Sequence, residues 1–169
     1  LNDSPSLHKY DARNYRHIDR TFGPDPAGDT AIIDAENPVD PATWRWTAAD
    51  RLFLKLIREV HRRGMRLIMD YSWNHTGITF WAWEDLKKNQ AQSRFRDWYD
   101  IISLDDPKTP EDEFRYEGWL GVKTLPELKK VNVVGKRKGH AFEGDLQPEV
   151  KAHVFNVTRR WLDPNGDGD

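Results

Sequence analysis

The sequence predicts an α/β fold, and three observations carry that reading. Leu52, Phe53, Leu56, Ile57 and Val60 recur at helical spacing, with Gly64 where a left-handed residue would end the helix. A short apolar run of strand length follows at once, Met65, Leu67, Ile68 and Met69, as expected for a strand buried on both faces. The chain then turns polar, so that Asp70, Asn74 and His75 gather where that strand ends. Helix, tight turn and buried strand make half of a βαβ unit, and in parallel α/β folds the carboxyl ends of the strands are where a ligand sits.

In chain order, Leu1 to Thr30 carries Pro5, Gly23, Pro24, Pro26 and Gly28 with no sustained periodicity, which is loop chemistry. Ala31 to Trp46, with two prolines and two tryptophans, leads into the helix, whose start is marked by the capping box Thr47-x-x-Asp50. After Gly77, the residues Phe80, Trp81, Trp83 and Leu86 suggest one short helix, and Phe95, Trp98, Tyr99 and Ile102 another. The stretch Asp105 to Pro110 breaks the pattern. Short apolar pieces then alternate with glycine and charge up to Asp145, Val131 to Val134 among them. A last helix begins near Pro148, a good first-turn residue, with Val150, Val154, Phe155, Thr158, Trp161 and Leu162 as its stripe.

The run Asp163-Pro-Asn165-Gly-Asp167-Gly-Asp169 after that helix has the spacing of the first six positions of an EF-hand loop, where alternate oxygens converge on calcium. The same residues serve plain turns for their own reasons, and both readings stand here.

Composition narrows the function classes. The net charge of −2, with both signs mixed along the chain, gives no footprint for nucleic acid, and Lys136-Arg137-Lys138 is a short basic patch flanked by glycines. With no cysteine there is no disulfide framework, thiolate zinc site or thiol nucleophile. No apolar run approaches the roughly 20 residues of a membrane span. Eight Trp, seven Phe and five Tyr are a heavy aromatic load, suited both to packing and to the C–H faces of sugars.

Asp70-Tyr-Ser-Trp-Asn74-His75 resembles the D-x-x-x-N-H block of the α-amylase superfamily, glycoside hydrolase family 13. Four further stretches agree in order: Ser4-Pro-Ser-Leu-His8-Lys-Tyr10-Asp11, His61-Arg-Arg-Gly64-Met65, Leu125-Pro-Glu127-Leu128 and Arg160-Trp-Leu-Asp163. Together they resemble the cyclomaltodextrinase and neopullulanase-like branch. The resemblance implies part of a TIM (β/α)8 barrel, from the end of strand two through helix three, with a small inserted domain B. Residues 1–76 would be barrel, 77–146 the insertion, and 147–169 barrel helix three with the Asp/Gly turn. A stretch of that length is far above the usual 2–6 residues of a βα loop. A complete barrel needs about 250 residues, so the chain of 169 reads as an internal piece of a longer protein, whose compartment is left open, with secreted or periplasmic both compatible.

The resemblance further implies hydrolysis or transglycosylation of α-glucosidic bonds with retention, on an α-glucan oligosaccharide or polysaccharide such as starch or cyclic maltooligosaccharides, with no organic cofactor. The carboxylate nucleophile and the general acid are expected beyond Asp169, so the chain by itself is expected to be inactive. His8, Tyr10 and His75 would bind the sugar beside the scissile bond, with Tyr10 stacking on it, and Asp70 would order the strand end. Asn74 would be a calcium ligand in members that keep the metal, and Asp163, Asn165, Asp167 and Asp169 form the second candidate set. Two other classes fit parts of the pattern: a non-catalytic carbohydrate-binding module using Trp81, Trp83, Trp98 and Trp119, and an EF-hand-like calcium protein.

Overall fold

In the computed structural model, which describes residues 1–135 and 143–168, the polypeptide divides into two units, Leu1–Ser72 and Trp73–Asp169. The first is built on two helices, α1 (Pro26–Asp34) and α2 (Ala48–Arg62). Helix α2 starts as its sequence dictates. The Thr47 hydroxyl accepts from Asp50 N at 3.0 Å, and the Asp50 carboxylate accepts from Thr47 N at 3.0 Å, closing the capping box. It also ends as expected. Gly64 sits at φ +73°, Gly64 N donates to His61 O and Met65 N donates to Val60 O, the paired bonds of a Schellman ending.

Helix α1 replaces part of the loop expected over Leu1 to Thr30. Pro26 occupies a first-turn position, where its fixed φ suits a helix, and the Asp25 carboxylate accepts from Gly28 N at 2.9 Å. The proline and glycine that suggest a loop are therefore start signals. Asp29 of α1 then presents both carboxylate oxygens to the free N–H groups of Ala48 and Ala49, at 2.6 and 3.0 Å, at the positive end of α2. Upstream, Asn2 bridges Ile18, and a single 3-10 turn spans Arg20–Phe22.

The strand expected over Met65 to Met69 does not form. These residues pair with no other segment among those described, and Ile68 is 93% exposed. A parallel strand has no hydrogen bonds of its own and exists only where neighbours supply them. An apolar run alone cannot. For the same reason the α2 stripe is only partly covered: Phe53 is buried, while Leu52 and Leu56 are half-exposed and line an open apolar groove with Leu1, Ile18 and Phe22.

The second unit packs around aromatic side chains. Helix α3 (Trp81–Asn89) buries Trp83 and Leu86, and Trp83 meets Tyr99 and Tyr116 edge-on at 4.8 and 4.5 Å between ring centroids. The second helix expected around Phe95 to Ile102 is a single 3-10 turn, Arg96–Trp98, followed by strand β1 (Ile101–Ser103), which pairs antiparallel with β2 (Arg115–Tyr116). Strands β3 (Lys130–Val134) and β4 (Glu143–Leu146) form a second antiparallel pair. Its register slips between Val131 and Val134, where Asn132 takes a left-handed φ of 55°, the signature of a bulge.

Between these sheets, Leu125 to Lys129 trades hydrogen bonds with three segments in turn, through the bridges Gly118–Pro126, His75–Glu127 and Tyr99–Leu128. Helix α4 (Pro148–Leu162) buries Val150, His153, Val154, Val157 and Trp161. Phe155 and Leu162, expected in its stripe, are 60% and 75% exposed, each lying one step around the helix from a buried residue. The Trp98 indole donates to Glu149 in the first turn of α4 at 2.9 Å.

Candidate functional site

The sequence-predicted residues of the first unit come together at an exposed ring. Tyr10 is 47% exposed, and its hydroxyl donates to Asp70 Oδ2 at 2.8 Å. The His8 imidazole stacks against it at 6.0 Å with the ring planes 18° apart, and His8 Nδ1 accepts from Tyr10 N at 3.1 Å. Between them Lys9 takes a left-handed φ of 67°, a strained conformation for a lysine, and its ammonium is held at 2.6 Å by Asp19. The hydroxyls of Ser4 and Ser6 both donate to Asp11. Burial pushes the Asp11 carboxyl up, but these two bonds outweigh it and leave the pKa below the ordinary value. The Tyr10 phenol is raised, chiefly by its hydrogen bond to Asp70. The result is an aromatic face pinned at its polar end and open to solvent, suited to stacking against an apolar ring face.

In the second unit His75 is 2% exposed, paired through its backbone with Glu127 and covered by Trp119, whose ring stacks on the imidazole at 5.0 Å and 25°. Trp119 was legible only as one tryptophan among several. Its partner lies 44 positions away, and no local pattern links them. Trp83 and Trp98 are buried in the core, and Trp81 meets Phe95, Trp98 and His153 edge-on. These three rings serve packing, which removes the set of surface platforms a tryptophan-based binding module would need.

Asn74, next to His75, has a buried side-chain oxygen with no hydrogen-bond partner. Its backbone carbonyl accepts from Leu128 N at 2.9 Å and from Lys130 Nζ at 3.3 Å. The same ammonium lies 2.6 Å from Glu127 Oε1. Lys130 has no marker in the sequence as a site residue, and only the fold brings it here.

The Asp163 turn is organised by its own hydrogen bonds. Asp163 Oδ1 accepts from Asp167 N at 3.0 Å and Oδ2 from Gly168 N at 3.2 Å, while the Asn165 amide donates to Asp167. Gly166 and Gly168 take positive φ. These bonds come from the N–H groups four and five residues on and wrap the loop around the Asp163 carboxylate. Asp169, the last of that candidate set, lies outside the described residues, as does the basic patch at positions 136–138. Among the described residues no three His, Cys, Asp or Glu side chains converge as metal ligands, and no helix is long and apolar enough to cross a membrane.

Residues 47–168, well over half of the chain, match the family described as "Alpha amylase, catalytic domain". The chain belongs to the α-amylase family. Within it, the chain is similar to Neopullulanase 2 of Thermoactinomyces vulgaris, 31% identical over 166 residues, which cover 98% of this chain and 21% of that protein. It is also similar to a cyclomaltodextrinase of Geobacillus thermopakistaniensis, 28% identical over 160 residues, 94% of this chain and 20% of the relative. Among solved structures, a debranching enzyme from Nostoc punctiforme superimposes with a TM-score of 0.63 at 22% identity, over 99% of this chain and 27% of that one. The solved neighbours are TIM-barrel enzymes of the α-amylase family. The chain spans about a fifth of the length of these curated relatives.

Proposed function

We propose that the full-length protein is an α-glucan hydrolase or transglycosylase that cleaves α-glucosidic bonds of starch-like or cyclic maltooligosaccharides with retention. In this reading the chain is a portion of the TIM barrel together with the domain B insertion. It contributes sugar positioning and none of the covalent chemistry. Retaining enzymes hold a nucleophilic carboxylate and a general acid about 5–5.5 Å apart, and the family blocks recognisable here contain neither. The observation that carries the proposal is the Tyr10 ring, half-exposed, fixed by Asp70 and backed by His8, at the position where the family stacks a sugar. Binding energy spent on holding the sugar lowers the barrier only if the reacting carbon is brought into line with those carboxylates.

Two measurements test this. Products from a maltooligosaccharide, followed by NMR, should appear first as the α-anomer; an initial β-anomer excludes retention. In the full-length protein Tyr10→Ala should lower kcat/KM by about 2- to 10-fold, the equivalent of roughly 0.5–1.5 kcal/mol of aromatic contact. Unchanged kinetics would remove Tyr10 from the sugar site.

A further inference from the structure

The family assigns a calcium ligand to the position of Asn74 in members that keep the metal, and the groups around Asn74 in this chain do not fit a divalent ion. We infer that the ammonium of Lys130 is the resident cation of this position, tethered to the chain, so that no calcium is needed to order the segment carrying Asn74 and His75.

Three features support this. Lys130 Nζ lies 2.6 Å from Glu127 Oε1 and 3.3 Å from the Asn74 carbonyl, and the Lys130 and Glu127 side chains are only 14% and 19% exposed. The ammonium therefore stands against the Asn74 backbone and a carboxylate oxygen, and it does not bond the Asn74 side-chain oxygen. The Asn74 carbonyl is doubly used, since it also accepts from Leu128 N. Of the two oxygens of Asn74 that leaves only the side-chain one open, and the Glu127 carboxylate beside it is already paired with the ammonium, whereas calcium takes six to eight oxygens at about 2.3–2.6 Å. Finally, a divalent ion on Asn74 would be placed beside a fixed positive charge in a poorly hydrated site, where repulsion is least screened.

The geometry also accounts for how the lysine arrives. Lys130 opens β3, where its backbone pairs with Leu146, and its side chain reaches back three residues to Glu127. Glu127 pairs with His75 through the backbone bridge. The ammonium thus joins the block ending in Asn74-His75 to the block Leu125-Pro-Glu-Leu, the linkage a bound ion would otherwise make.

The test reads melting temperature in the full-length protein and does not read activity. It rests on family membership but not on the substrate, so failure of the glucan reading leaves the result intact. Wild type and Asn74→Ala are compared in calcium and in chelator. Any calcium response should be the same in both, and Lys130→Met should melt several degrees lower than wild type. A wild-type stabilisation by calcium that Asn74→Ala abolishes would overturn the inference, as would a Lys130→Met variant that melts like wild type. Should Lys130→Met not fold, Glu127→Gln takes its place: a lower melting temperature is expected, and an unchanged one overturns the inference.

Discussion

The two units of the chain are held together by opposite means. In Leu1–Ser72 the most completely buried large side chains include Arg16 and His17, and Asp3, Asp19, Asp29 and Asp50 are buried with them. His17 is the centre. Its Nδ1 lies 2.7 Å from Asp50 and its Nε2 2.9 Å from Glu36, while Arg16 reaches the same Glu36 oxygen at 3.0 Å. Asp50 in turn caps α2 and accepts from Ile18 N at 2.9 Å. In Trp73–Asp169 the buried bulk is Phe80, Trp83, Leu86, Tyr99 and Leu128. Directional bonds between charges fix which groups meet, yet removing one partner strands the rest without water. Aromatic burial is less directional and degrades by degrees.

The largest expected effects come from cutting each centre. His17→Ala leaves Asp50 and Glu36 facing one another in a dry site and should cost about 3–5 kcal/mol. Trp83→Ala opens a cavity among Tyr99, Phe114 and Tyr116 and should also cost about 3–5 kcal/mol. The comparison is sharpened by refilling: Trp83→Phe should recover much of the loss, because volume is what matters there. His17→Phe should not, because shape without protons removes the cation that Asp50 and Glu36 share, leaving Glu36 with Arg16 and Asp50 with backbone donors. Denaturant unfolding of the full-length protein measures all four variants. Equal recovery at both positions would break the contrast.

Next in size is the response to pH. Burial pushes the His17 pKa down, but the hydrogen bonds that the imidazolium donates to Asp50 and Glu36 outweigh it and leave the pKa raised. A raised folded pKa gives stability that is fully present below the ordinary value of about 6.5 and is lost as pH rises through the folded value. Asp50 and Glu36 run the other way: burial raises them, the contacts with His17 and with backbone donors outweigh it and leave them lowered, and their contribution falls away as pH drops through the lowered values. The ionic centre should therefore be tightest in mildly acidic solution. Amide exchange, corrected for its intrinsic pH dependence, should show protection at Ile18 and Asp50 declining as His17 deprotonates, while protection at Trp83 and Leu86 holds. Parallel declines in both units would mean that a common opening governs them.

What the sequence revealed and what it hid divide along the same line. The capping box, the Gly64 ending and the start of α4 at Pro148 depend on residues within one or two turns, and they are present as read. The Met65 to Met69 strand depends on neighbours, and its apolar run carries no information on whether they are there. Nothing local marks His17 and Glu36 as partners across 19 positions, or Lys130 as Asn74's neighbour across 56. Tyr10 and His75 were singled out by resemblance, and the contacts that give each its setting, Asp70 for one and Trp119 for the other, came only from the fold.

A smaller effect is expected at the head of α2. Thr47→Ala removes one half of the capping box while Asp29 keeps its bonds to Ala48 and Ala49. The loss should be about 1 kcal/mol, within the ordinary range for a cap. Because Asp50 also holds His17, a loss of several kcal/mol in unfolding experiments would show that the cap and the ionic centre act as one network rather than two.

The smallest effect tests the contrast with a polar contact of the same kind placed in water. Tyr10 and Asp70 share a hydrogen bond at 2.8 Å, close in length to that between His17 and Asp50, but both Tyr10 and Asp70 are exposed. Water replaces such a bond when it is removed, so Tyr10→Phe should change stability by no more than about 0.5 kcal/mol. It should also keep the ring and lower kcat/KM of the full-length protein by less than about 2-fold, below the range expected for Tyr10→Ala. If Tyr10→Phe instead damages turnover as much as Tyr10→Ala, the hydroxyl held by Asp70 is what the sugar requires, and stacking is not the role of the ring. If it destabilises the fold by several kcal/mol, exposure has not weakened the bond, and burial is not what sets the strength of the His17 cluster.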